Sequence, residues 1–94
     1  MTNHDFNFNQ AKNRFELDVD GQTAFIVLSQ SDDTLTLMHT EVPQSLEGQG
    51  IGKEIVQKSL DYIKEHDLKF IPSCSFVAAY VKRHPEYNSL LAKE

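Results

Sequence analysis

At Pro43 the spacing of the apolar residues changes, and that change limits the chain to folds that combine sheet with helix. Before it, Phe15, Leu17 and Val19 alternate with Glu16 and Asp18, the period of two required by a half-buried strand. After it, Ile51, Ile55, Val56, Leu60 and Ile63 fall on one helical face, with Lys53, Glu54, Gln57, Lys58, Asp61 and Lys64 opposite. Asp20-Gly21 reads as a two-residue hairpin turn, because both residue types tolerate the positive φ of a type I′ turn. The return strand, Thr23 to Ser29, carries the unbroken run Phe25-Ile26-Val27-Leu28 and so belongs inside the sheet. Ser31-Asp32-Asp33 makes a second turn, and the alternation around Leu35 and Leu37 predicts a third strand running to about Glu41.

Beyond the helix, which ends at Asp67, Leu68 to Ile71 reads as a short strand stopped by Pro72. A strand, a helix and a strand in succession imply a crossover, with the last strand parallel to the third. Ser73 or Ser75 is placed to cap a second helix from Phe76 to about Arg83, with Phe76, Val77, Tyr80 and Val81 buried, and Pro85 ends it. The expected fold is α+β: an antiparallel meander, a strand-helix-strand crossover and a C-terminal helix on one mixed sheet, a single domain over 1–94. The polar, Asn-rich first dozen residues leave two readings, a flexible arm or a segment that docks Phe6 and Phe8 on the body.

Composition narrows the function classes. With 39% hydrophobic and 24% charged residues, the 94-residue chain is neither disordered nor fibrous and has one modest core. No apolar run approaches the ~20 residues of a membrane span, and Met1-Thr2-Asn3-His4-Asp5 has no features of a signal peptide. The single cysteine, Cys74, excludes an intrachain disulfide framework, and the expected setting is the cytoplasm. A net charge of −5 argues against nucleic acid and anionic membranes as partners, though a local basic cluster still suits a small anion. His4, His39, His66 and His84 show no metal-ligand spacing with Cys74 or one another, so no metal is expected.

Gly48, Gly50 and Gly52 alternate between the third strand and the long helix. Glycines there let a backbone approach a ligand where a Cβ would clash, and the helix start offers unpaired N–H groups to phosphate. The same glycines also suit a tight turn and close helix–sheet packing, and both readings stand on the spacing alone. A P-loop ending is absent, and a Rossmann fingerprint fits poorly because the crossover follows a meander. Glu41-Val42-Pro43 followed by Glu47-Gly48-Gln49-Gly50-Ile51-Gly52-Lys53 resembles the acetyl-CoA loop of the GNAT superfamily of N-acetyltransferases. The tail, Cys74-Ser75-Phe76-Val77-Ala78-Ala79-Tyr80 through His84-Pro85-Glu86-Tyr87, is similar to the ending of the short, minimal-domain branch of that superfamily. The resemblance covers residues 13 to 88. Glu47 departs from the Gln/Arg of the usual pattern and is expected to point outward. The helices that usually wall the acceptor site have no room in this chain.

The resemblance implies an acetyl-CoA-dependent N-acetyltransferase whose acceptor is an amine on a small molecule, peptide or protein. The rival reading is a non-catalytic CoA-binding module, a sensor or a subunit of a complex. In such domains the pantetheine arm pairs with backbone near Glu41 and Val42, while Gly48, Gln49, Gly50, Ile51 and Gly52 cradle the pyrophosphate. Lys53, Lys82, Arg83 and His84 are nearby cations by chain position, suited to the nucleotide phosphates or to ordinary solvation. Three residues are candidates for chemistry. Cys74, at a helix start where a thiolate is stabilised, reads as nucleophile or relay, or else as a small core residue. Tyr80 reads as the acid for the leaving sulfur or as a core aromatic. His39 reads as a base, or as a partly buried histidine on the face of Leu35 and Leu37. Two copies pairing through the third-strand end or the C-terminal segment is a further open reading.

Overall fold

The computed structural model describes residues 4–92. Five strands form one sheet in the order β1 (His4–Asn9), β2 (Arg14–Val19), β3 (Gln22–Ser31), β4 (Thr34–Glu41) and β5 (Lys69–Pro72). The first four pair antiparallel and β5 is parallel to β4, with α1 (Ile51–Glu65) as the crossover between them. The second helix, α2 (Ser75–Arg83), follows β5, and 3₁₀ turns span Gln44–Leu46 and Pro85–Leu90. The fold is therefore α+β on a mixed sheet, as the change of period requires. Asp20 and Gly21 both have positive φ (52° and 80°), the conformation that Asp-Gly supplies cheaply.

The meander has four strands rather than three. His4–Asn9 is β1, paired with β2, so this part of the first dozen residues is not a loose arm; residues 1–3 lie outside the described ones. The reason is a period-two signal, Phe6-Asn7-Phe8, that places both rings on one face. Phe6 and Phe8 lie 5.6 and 4.8 Å from the Phe15 ring and close on Tyr62 of α1. His4 Nδ1 adds a tie to α1, 2.7 and 2.8 Å from the two carboxylate oxygens of Glu54.

The core lies on one face of the sheet. Phe15, Leu17, Val19, Ile26, Leu28, Leu35 and Leu37 meet Ile55, Val56, Leu60 and Ile63 of α1, with Phe70 and Val77 completing the cluster. The opposite face is polar: Arg14 lies 4.3 Å over the Phe25 ring and 2.6 Å from Glu16. Only Val77 and Val81 of α2 are buried; Phe76 is exposed and Tyr80 half-buried, against the expectation of four buried residues. A helix this short buries one narrow i, i+4 stripe, and Phe76 and Tyr80 fall on the next one. Neither Ser73 nor Ser75 caps α2. Cys74 is its N-cap residue, without a side-chain cap hydrogen bond.

One irregularity positions the site. The β3–β4 register pairs Leu28 with Leu37 but Val27 with His39, so Met38 is an extra residue on β4, a β-bulge. Past the bulge the alternation is reversed. His39 does not share the buried face of Leu35 and Leu37 but is exposed, while Thr40 turns towards Cys74. The β4–β5 ladder also stops at Leu37, whose carbonyl accepts the Cys74 N–H at 2.8 Å. From Met38 onward the ladders of β4 are to β3 alone, which leaves one edge of the strand open.

Candidate functional site

The open end of β4 faces the glycine loop across a groove of about 450 Å³. Thr40, Glu41 and Val42 form one wall, Glu47, Gly48 and Gly50 the loop, and Ile51 to Lys53 with Phe76 the remainder. The buried Leu46 side chain anchors the loop to the core. Gly48 and Gly50 have φ of +83° and +76°, left-handed values that favour glycine, and a Cβ on either would meet nothing within 4 Å. They shape the turn and keep the groove open. Gly52 serves a different purpose: a Cβ there would stand 2.9 Å from Cζ of Phe76, so this glycine admits the aromatic ring.

Gly50 is the N-cap residue of α1, and no side chain caps the helix. The first-turn amides and the positive end of the helix dipole are therefore turned to the groove, an arrangement that attracts phosphate. The loop thus fits a pyrophosphate by its conformation, its space and its free donors. Glu47, exposed on the groove wall, is the opposing charge.

Behind Thr40 lies Cys74, 9% exposed, with Sγ 3.4 Å from Thr40 Oγ1. Burial pushes the thiol's pKa up, but hydrogen bonding from the Thr40 hydroxyl and from the backbone N–H groups of Val77, Phe76 and Thr40 outweighs it. The net position is below the ordinary cysteine value. The start of α2 and the bulged end of β4 thus converge on one sulfur and favour its thiolate.

Other candidates are dispersed. Tyr80 does not share the groove of Thr40; it lines a second one of about 270 Å³ with Lys53, Phe76, Ala79, Arg83 and His84. Its ring stacks on His84 at 4.1 Å. Burial, then the negative charges of Asp61 and Glu86, raise its pKa, so it keeps its proton at neutral pH. Lys82 lies elsewhere, on the cleft between α2 and Leu91. The Gln49 amide donates to the Ser45 carbonyl at 3.3 Å, within the loop. His39 pairs with Glu41, Nε2 to Oε2 2.6 Å, on the exposed side of β4. No group of three or more metal-ligating side chains occurs among the described residues. Thr40 and Phe76 are the site residues that sequence reasoning missed. Thr40 depends on the bulge, which has no local signal; the i, i+4 spacing separates Phe76 and Tyr80 from Val77 and Val81, but which pair is buried is set by the packing of α2.

Comparison with known proteins agrees with this geometry. Residues 14–90 match a family model described as GCN5-related N-acetyl-transferase. Protein NATD1 of Homo sapiens is 43% identical over 49 residues, 52% of this chain and 43% of that protein. Protein NATD1 of Xenopus tropicalis is 40% identical over 52 residues, 55% of this chain and 48% of that one. These matches span about half the length of those relatives. The solution structure of a GCN5-like candidate N-acetyltransferase from Staphylococcus aureus superposes over 100% of this chain and 93% of its own, with a TM-score of 0.70 and 28% identity. The matched segment takes in β2 to β5, the glycine loop and α2, and the chain belongs to the GCN5-related N-acetyltransferase family.

Proposed function

We propose that this protein binds acetyl-CoA in the groove between β4 and the glycine loop and transfers its acetyl group to an amine. The carrying observation is the groove that runs from the uncapped start of α1 to Thr40, whose hydroxyl lies 3.4 Å from the buried Cys74 thiol. The amides of Gly48 to Gly52 would hold the pyrophosphate, and the open edge of β4 at Glu41 and Val42 would pair with the amide-bearing arm. When bound, acetyl-CoA supplies the acetyl group as a thioester. The Cys74 thiolate attacks the carbonyl carbon, the thioester C–S bond breaks, and the CoA sulfur takes up the proton that Cys74 gave up. The deprotonated amine then attacks the acetyl carbon on Cys74, and the Cys74 thiolate leaves. The exposed His39–Glu41 pair on β4, of which Glu41 lines the groove, would take up the proton lost by the amine. Tyr80 opens onto the neighbouring groove, so this reading gives it no proton transfer.

The test is a set of paired measurements. Acetyl-CoA at a hundred times its dissociation constant should add about 2.7 kcal/mol of stability. That is a rise in Tm of roughly 10 °C for a domain this small, and ATP or NAD at equal concentration should give none. Intact mass after exposure to acetyl-CoA should show one acetyl group, lost in Cys74→Ala while binding persists. No movement of Tm would overturn the cofactor. Full transfer by Cys74→Ala would instead indicate direct attack by the amine, and binding without transfer to any amine would leave a CoA-binding sensor or complex subunit.

A further inference from the structure

The sheet has two edges, and the chain treats them differently. At the β5 edge, Leu91 bridges Phe70, the Ala92 N–H donates to the Phe70 carbonyl at 2.9 Å, and Pro72 ends the strand. At the other edge, among the described residues, β1 pairs with β2 alone in an unbroken register from His4 to Asn9. This strand contains no proline, lysine or bulge, the devices by which edge strands discourage further pairing. Its outward N–H and C=O groups are a template for another strand. Phe6 and Phe8 remain half-buried although both pack on Phe15 and on the half-buried Tyr62, so a strip of aromatic surface borders this edge. Lys58, Asp61 and Glu65 rim the strip with charges of both signs.

Symmetry selects the occupant. Two antiparallel copies of β1 keep their faces in step only where residues of the same parity stand opposite each other. A two-fold axis at Asp5 would set two carboxylates together, and an axis at Phe6 would set Phe8 against the partner's His4. An axis at Asn7 puts Phe6 opposite the partner's Phe8, twice, and Asp5 opposite the partner's Asn9. Cross-strand aromatic pairs of this kind stabilise a sheet. The same pairing brings the Lys12 end of each strand beside the Asp5 end of the other, and neither residue is in an ion pair among the described residues. We propose that the β1 edge binds a second copy of this chain, antiparallel about Asn7, and joins the two five-stranded sheets into one symmetric dimer. The groove at β4 lies beyond β2 and β3 and stays open in this dimer, so the proposal stands apart from the acetyl-CoA reading.

Sedimentation of the 94-residue chain over a concentration series reaching the millimolar range should reveal a species of twice the mass of one chain. Amide exchange in β1 should slow as that species forms, because the outward N–H groups become bonded. Asn7 is exposed, so changes there spare the packing of the single chain. Asn7→Lys and Asn7→Glu each set like charges face to face at the axis and should weaken the dimer about tenfold or more. Mixed in equal amounts, the two variants should form a dimer containing one of each, which native mass spectrometry resolves by mass. A parent chain that sediments singly throughout the series would overturn the proposal. So would a dimer that both variants leave unweakened, or β1 exchange that stays unchanged as the dimer forms, since either puts the interface elsewhere. A mixture of the folded variants no more dimeric than its components would overturn the pairing about Asn7 and the proposal with it.

Discussion

The Thr40 hydroxyl oxygen lies 3.4 Å from the Cys74 sulfur, although the residues are 34 apart in sequence. Two backbone events create the contact. The extra residue Met38 turns Thr40 inward, and the end of the β4–β5 ladder at Leu37 brings the start of α2 alongside. A hydroxyl that donates to sulfur strengthens the thiolate and leaves the thiol little changed.

Thr40→Val should therefore raise the pKa of Cys74 and slow its alkylation at pH 7 by about tenfold, the value of one hydrogen bond to a charged group. Thr40→Ser should restore the rate. The readout is the rate of thiol alkylation against pH: the folded thiol is held below its ordinary range, so its reactive fraction rises at lower pH than that of a free cysteine. Superimposable profiles for the two variants and the parent would show that the Thr40 hydroxyl has no such part.

Gly50→Asp should abolish binding of acetyl-CoA. The change brings a carboxylate to the uncapped start of α1 and costs about 1 kcal/mol of backbone strain at φ +76°. Glu47→Gln should bind as well as the parent or more tightly, because it removes a negative charge from the groove wall. Titration of both folded variants checks the pair, and a folded Gly50→Asp that binds acetyl-CoA as the parent does would place the phosphates elsewhere.

Gly52→Ala separates binding from stability. Its Cβ would come within 2.9 and 3.2 Å of the Phe76 ring, which is exposed and free to swing away. Gly52 is the second residue of α1, so a partial gain in helix propensity offsets the displaced contact and Tm should move by only a few degrees. Affinity for acetyl-CoA should fall as the displaced ring moves within the groove that Phe76 and Gly52 both line. Calorimetry and melting on one sample decide it; parallel loss of both would make Gly52 a packing residue only.

Glu54 links β1 to α1, accepting from Lys58 at 2.9 Å and facing His4 at 2.7 Å. Burial raises its pKa, but the hydrogen bonds from Lys58 and His4 outweigh that and hold it below the ordinary glutamate value. Its contribution is thus present above the usual glutamate range and lost as pH falls through the lowered value. Glu54→Gln should destabilise the protein by about 0.5–1 kcal/mol at pH 7 and progressively less in acid, with faster amide exchange in β1. A difference that stays constant down to strong acid would rule the ion pairs out as its cause.

The order of strands and helices was written in local pattern, because a period of two or of 3.6 is a property of neighbouring residues. Asp20-Gly21, the Gly48–Gly52 alternation and the face of α1 were legible for that reason. Phe6 and Phe8 carried the period of a strand as well, but an edge strand with one apolar face declares itself only when Phe15 and Tyr62 are there to receive it. The inward turn of Thr40, the outward turn of His39 and the exposure of Phe76 were decided in tertiary structure alone. A bulge shifts the side chains beyond it to the opposite face at the cost of one residue, and no composition or spacing within β4 marks where it falls. Which stripe of a nine-residue helix is buried is likewise fixed by the sheet edge and by the gap that Gly52 leaves, both distant in sequence from α2.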